Sequence, residues 1–193
     1  MTTSTHAEAK VLDVIATRRS RRAYSATPVG PDVLESLFEA ARWAPSSMNE
    51  QPWLYLYATK EQDELHGKIL SALSESNLVW AGSAPLLIVS FAKLKHSRHD
   101  RPNRLAHYDL GAANALLSLQ ATDSGLNVHQ MAGFDKERLI RNLNVPAADY
   151  DPVVIMAIGY PGDAEQLPDH LKLREQAPRL RYRQSEFVMN QPF

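Results

Sequence analysis

The chain has 193 residues, 44% of them hydrophobic, and a formal net charge of −1 at pH 7, enough apolar material for one substantial core. So even a balance gives no bulk attraction to nucleic acid or to an anionic membrane surface. Cysteine is absent, which excludes a disulfide scaffold, a thiolate nucleophile and any thiolate-ligated metal or iron–sulfur centre.

Residues 1–6 read as a frayed tail, and the first ten residues hold no apolar stretch of the signal-peptide kind. The longest apolar run, Pro85 to Phe91, is far too short to span a bilayer, so a cytoplasmic protein is expected. Val11, Leu12, Val14 and Ile15 predict a short helix that ends in Arg18, Arg19, Arg21 and Arg22 around Ser20. Pro31 suits the first turn of a helix carrying Val33 to Arg42, which Pro45 stops. Leu54 to Ala58 alternates as a strand, and Glu61 to Leu73 is amphipathic with Leu65, Ile69 and Leu73 on one stripe. Pro85 to Ala92 predicts a buried strand. Lys93 to Arg104 carries five Lys or Arg and two His and reads as an exposed loop, with a lid or a dinucleotide-phosphate contact as the alternative.

Asp109 to Ser124 is the most helix-like segment, and its Gly111, Ala112, Ala113 and Ala115 imply close packing on another helix. Gly125 is placed to stop it. Asn127 to Met131 should return as strand, Asp135 should cap a helix running through Leu143, and Val153 to Ile158 should be the next buried strand. Residues 163–178 look irregular, and Arg179 to Val188 looks like an extended, Arg-rich arm. With no repeat, linker or low-complexity tract, residues 1–193 read as one domain, with 176–193 as its arm.

Several routes to chemistry are closed. The eight glycines never form Gly-x-Gly-x-x-Gly or a Walker loop, and no Gly-x-Ser-x-Gly elbow is present. Of seven His, only His96 and His99 lie close in sequence, and without His-Glu-x-x-His spacing no metal site is expected. No side chain stands out as a catalytic nucleophile, so redox chemistry would rest on a bound organic cofactor.

Two stretches remain. Arg18, Arg19, Ser20, Arg21 and Arg22 would ordinarily be a solvated basic face, yet Arg forks with a Ser hydroxyl are also what a phosphate monoester needs. Ala44-Pro45-Ser46-Ser47-Met48-Asn49-Glu50-Gln51-Pro52-Trp53 would ordinarily be a capped turn, yet it holds more donors and acceptors than a turn uses. Together, in this order and spacing, they resemble the nitroreductase family of flavin enzymes, whose signatures are Arg-Arg-Ser-x-Arg-x-aromatic and Ala-Pro-Ser-Ser-x-Asn-x-Gln-Pro-Trp.

The resemblance implies an α+β fold with a central, mostly antiparallel sheet flanked by helices. It also implies an intertwined homodimer with C-terminal arm exchange and two FMN at the interface. By it, Arg18 and Ser20, with Arg19 beside them, would hold the FMN phosphate, and Arg22 would lie by the N1/O2 edge of the ring. Arg179 and Arg181 match the family's closing basic pair, with Arg183 as an alternative register. Pro45, Ser46, Ser47 and Asn49 would reach the same flavin from the other subunit, and Met131, Ala132 and Gly133 would present backbone N–H groups to N5 and O4. Some members carry Glu where this chain has Ala132. The implied activity passes electrons from NADH or NADPH through FMN to a nitro compound, quinone or similar small acceptor by a ping-pong mechanism. The rivals are a flavin reductase serving a monooxygenase, a flavin-fragmenting or dehalogenating relative, and a non-catalytic flavin or phosphate-ligand binding protein.

Overall fold

The computed structural model describes residues 3–192. Its centre is a sheet of β2 (Trp53–Thr59), β3 (Leu86–Lys93), β4 (Asn127–Met131) and β5 (Tyr150–Gly159) in the spatial order β2-β3-β5-β4. Every pairing in it is antiparallel. β3 and β5 are the inner strands, and successive residues serve opposite faces. Leu87, Val89, Phe91, Ile155 and Ala157 face one cluster. There they meet Ile69 of α3 (Asp63–Leu70), Trp80 of α4 (Glu75–Ala81), Leu139 of α6 (Lys136–Leu143) and Leu171 of α7 (Asp169–Gln176). Leu86, Ile88, Met156 and Ile158 face the other cluster, with Leu37 and Ala41 of α2 (Pro31–Arg42) and Ala113, Leu117 and Ala121 of α5 (Ala106–Asp123). Burial on both faces explains the continuous apolar run in β3, and each fully buried Leu or Ile there contributes about 1.5–3 kcal/mol.

Local signals set the helix ends. Pro31 opens α2. The Asp135 carboxylate accepts the Arg138 N–H at 2.9 Å and starts α6. Gly125 sits at φ 76° and lets Leu126 N–H return to the Ala121 carbonyl at 2.8 Å, closing α5. The small residues Ala41, Ala113 and Ala121 let α2 and α5 pack closely.

Four features differ from the sequence reading. The helix α1 (Asp13–Thr17) stops before the Arg-rich stretch, which is extended. Helix α4 was not expected. Residues 163–178, expected as irregular, hold a short 3-10 turn and α7, a helix with only Leu171 and Glu175 buried. Within the expected frayed tail, β1 (Thr3–Ser4) pairs antiparallel with β6 (Arg181–Tyr182) of the same chain, Thr3 opposite Tyr182 and Ser4 opposite Arg181. Met1 and Thr2 of that tail, and Phe193 of the expected arm, lie outside the described residues. Among the described residues, no helix is long and apolar enough to cross a membrane.

Candidate functional site

The Arg-rich stretch is held from behind by α7. The Glu175 carboxylate is buried and accepts the N–H of Arg22 at 3.1 and 3.2 Å and of Ala23 at 3.5 Å. Beyond it, the exposed carbonyl end of α7 receives Arg21 Nη1 at Glu175 O (2.7 Å) and Arg19 Nη2 at Ala177 O (2.6 Å), as cations at a helix C-terminus do. Arg179 donates back to the carbonyls of Ala16 and Arg18. Arg22 turns the other way, with its guanidinium 5.7 Å from the Trp80 ring. Trp80 in turn lies 4.6 Å from the ring of His129. Burial, and after it the charge of Arg22, pushes His129 down to about 4. The imidazole is therefore neutral at pH 7, with Nδ1 3.1 Å from the Arg21 carbonyl.

Arg18, Arg179 and Arg181 converge. Among the described residues, none of the three has a carboxylate within salt-bridge distance. Burial, then the charge of Arg181, lowers the affinity of Arg18 and Arg179 for their protons. They line a cavity of about 330 Å³ whose one acidic side chain, Glu8, is engaged by the Gln184 N–H at 2.8 Å and by Arg183 at 4.0 Å. Arg18 also borders a second cavity of about 410 Å³ with Ser20, Ala115, Ser118, Val128 and Gln130. Two of its lining residues begin a polar relay that runs away from it: Gln130 Nε2 donates to Ser118 Oγ (3.0 Å), Ser118 Oγ to Asn114 O (2.7 Å), Asn114 Nδ2 to Ser90 Oγ (3.1 Å), and Tyr55 OH to Asn114 Oδ1 (3.0 Å). Guanidinium groups with no carboxylate within salt-bridge distance among the described residues, next to a slot bordered by Ser20, Ser118 and Gln130, fit an anionic headgroup with a polar body.

The Pro45–Asn49 turn lies elsewhere. Ser47 donates its N–H to Asp109 Oδ2 at 3.1 Å in the first turn of α5, whereas Ser118 is nine residues further along that helix, about 14 Å at 1.5 Å per residue. Met48, Asn49 and Gln51 have φ of 54°, 55° and 48°, left-handed conformations that cost of order 1 kcal/mol or more each outside glycine. Ser46 Oγ accepts the Gln51 N–H at 3.0 Å and holds the loop in this form. On the third stretch Met131 is buried while Ala132 and Gly133 are exposed. The Gly133 carbonyl takes both Ser74 N–H and Asn77 Nδ2 at 3.0 Å, and a Cβ on Gly133 would sit 2.8 Å from Asn77 Nδ2. One chain therefore joins Arg18 with Arg179 and Arg181 at one cavity and with Ser20 at the other. It leaves Arg19 and Arg179 bonded to carbonyls, and it sets Pro45, Ser46, Ser47 and Asn49 apart from the Arg cluster.

Sequence reasoning missed Asn77, Trp80, Asn114, Ser118, His129 and Gln130. Asn114 and Ser118 did carry a signal: two polar residues four apart on the apolar face of an Ala/Leu helix, positions that are costly unless bonded.

A family model described as the Nitroreductase family matches residues 15–81 and 58–160. The chain belongs to the nitroreductase family. The matched span contains the Arg-rich stretch, the Pro45 turn and residues 131–133 and ends before Arg179 and Arg181. A crystal structure described as an oxidoreductase containing FMN is similar, with a TM-score of 0.91 and 30% identity over 100% of this nitroreductase-family chain and 98% of that one. A protein of Archaeoglobus fulgidus with the provisional name NADH dehydrogenase/NAD(P)H nitroreductase is 26% identical over 155 residues, 79% of this chain and 86% of its own. One of Streptomyces coelicolor with the same kind of name is 28% identical over 167 residues, 74% and 79% respectively.

Proposed function

We propose that this nitroreductase-family chain binds FMN and is an oxidoreductase that takes electrons from NADH or NADPH and delivers them to a nitro compound, a quinone or a similar small acceptor. The observation that carries this reading is the convergence of Arg18, Arg179 and Arg181, none of which has a carboxylate within salt-bridge distance among the described residues. Such a cluster is stabilised by an anion. The name of the 30% identical structure, an oxidoreductase containing FMN, supports FMN as that anion.

FMN, when bound, supplies a two-electron centre able to accept a hydride from a nicotinamide and pass the electrons on. Arg18 and Arg181, with Ser20, bind its phosphate. Arg22, whose guanidinium rests on Trp80, supplies positive charge that favours a reduced, anionic ring. Asn77 and Ser74 hold the Gly133 carbonyl, which fixes the 131–133 peptides for the ring edge. The chain needs no general base, because hydride transfer requires only a flat slot and close approach.

The site is completed by a second copy. Within one chain the Ser46–Gln51 turn stands apart from Arg18 while the surrounding surface is apolar: Leu12, Trp43, Met48 and Tyr108 are each at least 70% exposed, an unusual cost for a lone chain. Tyr108, Gly111 and Ala115 form an exposed stripe on α5 at helical spacing, and Phe187, Val188 and Met189 are exposed on the arm. A homodimer in which these surfaces meet, with residues 176–193 embracing the partner, brings the turn of one copy to the Arg cluster of the other. One slot over the ring serves both substrates, so steady-state kinetics are ping-pong.

The test is the visible spectrum of the purified protein before and after anaerobic NADH or NADPH. A flavin spectrum that bleaches with either donor and returns with a nitro or quinone acceptor is expected. A protein that retains no FMN even when it is supplied would refute the assignment. Intersecting double-reciprocal plots, with turnover that requires excess free FMN, would instead make the protein a flavin reductase.

A further inference from the structure

A separate cavity of about 460 Å³ opens beside the Ser46–Gln51 turn, lined by Ser47, Met48, His96, Asn103, Arg104 and Leu105. Its chemistry is one-sided. It lies at the N-terminus of α5, an 18-residue helix with no side-chain cap on its first turn, so the positive end of the helix dipole faces it. Asn103 is 6% exposed and orients its Oδ1 toward the Leu105 N–H at 3.1 Å. Among the described residues its Nδ2 has no partner, an amide donor left unpaired in the interior. Arg104 is exposed. Among the described residues, neither it nor Arg98 or Arg101 has a carboxylate within salt-bridge distance.

The acidic groups nearby are already engaged. Glu50 accepts the Ser97 N–H at 2.8 Å and lies 3.6 Å from His96. Asp109 accepts the Ser47 N–H. Asp100 and Asp149 are both 3.3 Å from Lys95. What remains is the Arg104 guanidinium at the cavity, the unpaired Asn103 amide N–H₂ in its wall and a helix N-terminus, beside the Ser47 hydroxyl and the His96 ring, a set richer in donors than in acceptors. Phosphate oxygens satisfy such a set, whereas a base edge or a sugar hydroxyl would leave its own donors unmet.

We propose that this pocket binds a phosphate of the pyridine dinucleotide and anchors that substrate beside the Ser46–Asn49 turn, with Arg104 as the residue that sets affinity. The inference rests on the proposed function, since it is that reading which brings the turn to the flavin. Arg104 is exposed and lines neither of the cavities that hold Arg18 in its own chain, so its replacement should leave FMN content unchanged.

The experiment is Arg104→Gln in the FMN-loaded protein, read by calorimetric titration with 2′,5′-ADP and with ADP, and by the kinetics of NADPH and NADH. Loss of a charge-assisted contact at an exposed position should weaken binding about tenfold, with FMN content and acceptor kinetics unchanged. Weakening of 2′,5′-ADP and NADPH alone assigns the pocket to the 2′-phosphate. Equal weakening of ADP, NADH and NADPH assigns it to the diphosphate, and either result supports the proposal. Affinities all within about twofold of wild type would overturn it, a change smaller than a single hydrogen bond confers. So would a rise confined to the KM of a carboxylated nitroaromatic, relative to nitrobenzene, because the pocket would then serve the acceptor. A wild-type protein that holds FMN but is reduced by neither nucleotide would refute the proposed function, and the 2′,5′-ADP titration still reads the pocket in that case.

Discussion

Replacing Glu175 tests whether α7 is what holds the Arg-rich stretch. The carboxylate is buried and is the acceptor for the N–H groups of Arg22 and Ala23. Glu175→Ala leaves both donors unpaired, at about 1–3 kcal/mol each with the half-buried Arg22 at the low end, so a loss of about 3 kcal/mol is expected. Glu175→Gln keeps one acceptor oxygen, gives up only the charge assistance and should lose about 1 kcal/mol. For a chain of this length each kcal/mol lowers Tm by about 2–4 °C, giving roughly 6–12 °C for Ala and 2–4 °C for Gln. The assay is thermal unfolding of the FMN-free protein by circular dichroism at one fixed protein concentration, because ligand and self-association both move Tm. FMN affinity, measured separately, should fall in the same order, since Arg18, Ser20 and Arg22 share the segment that loosens. An Ala variant melting within about 2 °C of wild type, less than one unpaired buried donor costs, would show that this carboxylate does not hold the stretch.

Arg18→Ala and Arg181→Ala should each weaken FMN binding about ten- to a hundredfold by equilibrium fluorescence. Arg19→Ala, whose guanidinium faces the carbonyls of Glu175 and Ala177, should lower stability with little change in FMN affinity. Gly162→Ala should cost about 3 kcal/mol in denaturant unfolding, because its Cβ would lie 2.3 and 2.4 Å from the carbonyl carbon and oxygen of Tyr24, backbone that cannot turn aside. His129 has a folded pKa of about 4, below the ordinary value of 6.5. Its contribution to stability is therefore complete above pH 6.5 and is lost as pH falls toward 4, at most about 3 kcal/mol in all. His129→Gln should flatten that part of the stability–pH curve, measured by urea unfolding between pH 7 and 4.5. The slope that persists belongs in part to His66, which burial shifts in the same direction.

The sheet and most helices were legible because their signals are local. Asn127–Met131 is bounded by Gly125 and by the departure at Ala132. Asp135 caps α6 through its own side chain, and Pro31 opens α2. Helix α4 escaped notice because Leu78 and Val79 are exposed while Trp80 and Ala81 are buried, so its seven residues show no clean apolar stripe. Helix α7 is polar nearly all round, and what fixes it is Glu175 binding a segment more than 150 residues earlier. No window of sequence holds both partners of that contact. The pairing of Thr3–Ser4 with Arg181–Tyr182 escapes a local reading for the same reason.

The site follows the same division. That four Arg crowd between residues 18 and 22 is visible in the sequence, but their separate duties are not, because each duty is set by what lies opposite. Arg19 and Arg21 meet the carbonyl end of α7, Arg22 meets Trp80, and Arg18 is left facing Arg179 and Arg181. Arg19 also has cationic neighbours but spends its guanidinium on carbonyls, so Arg18 is the one of the four that a bound anion would stabilise most. The Ser46–Gln51 turn adds the complementary case. Met48, Asn49 and Gln51 adopt left-handed backbone where glycine would have cost less, and the loop is kept in that form by Ser46 Oγ on one side and by Asp109 on the other. Composition cannot signal such strain, since the residues that bear it are ordinary. It persists because two backbone N–H groups of the turn, those of Ser47 and Gln51, are held by the Asp109 carboxylate and by Ser46 Oγ.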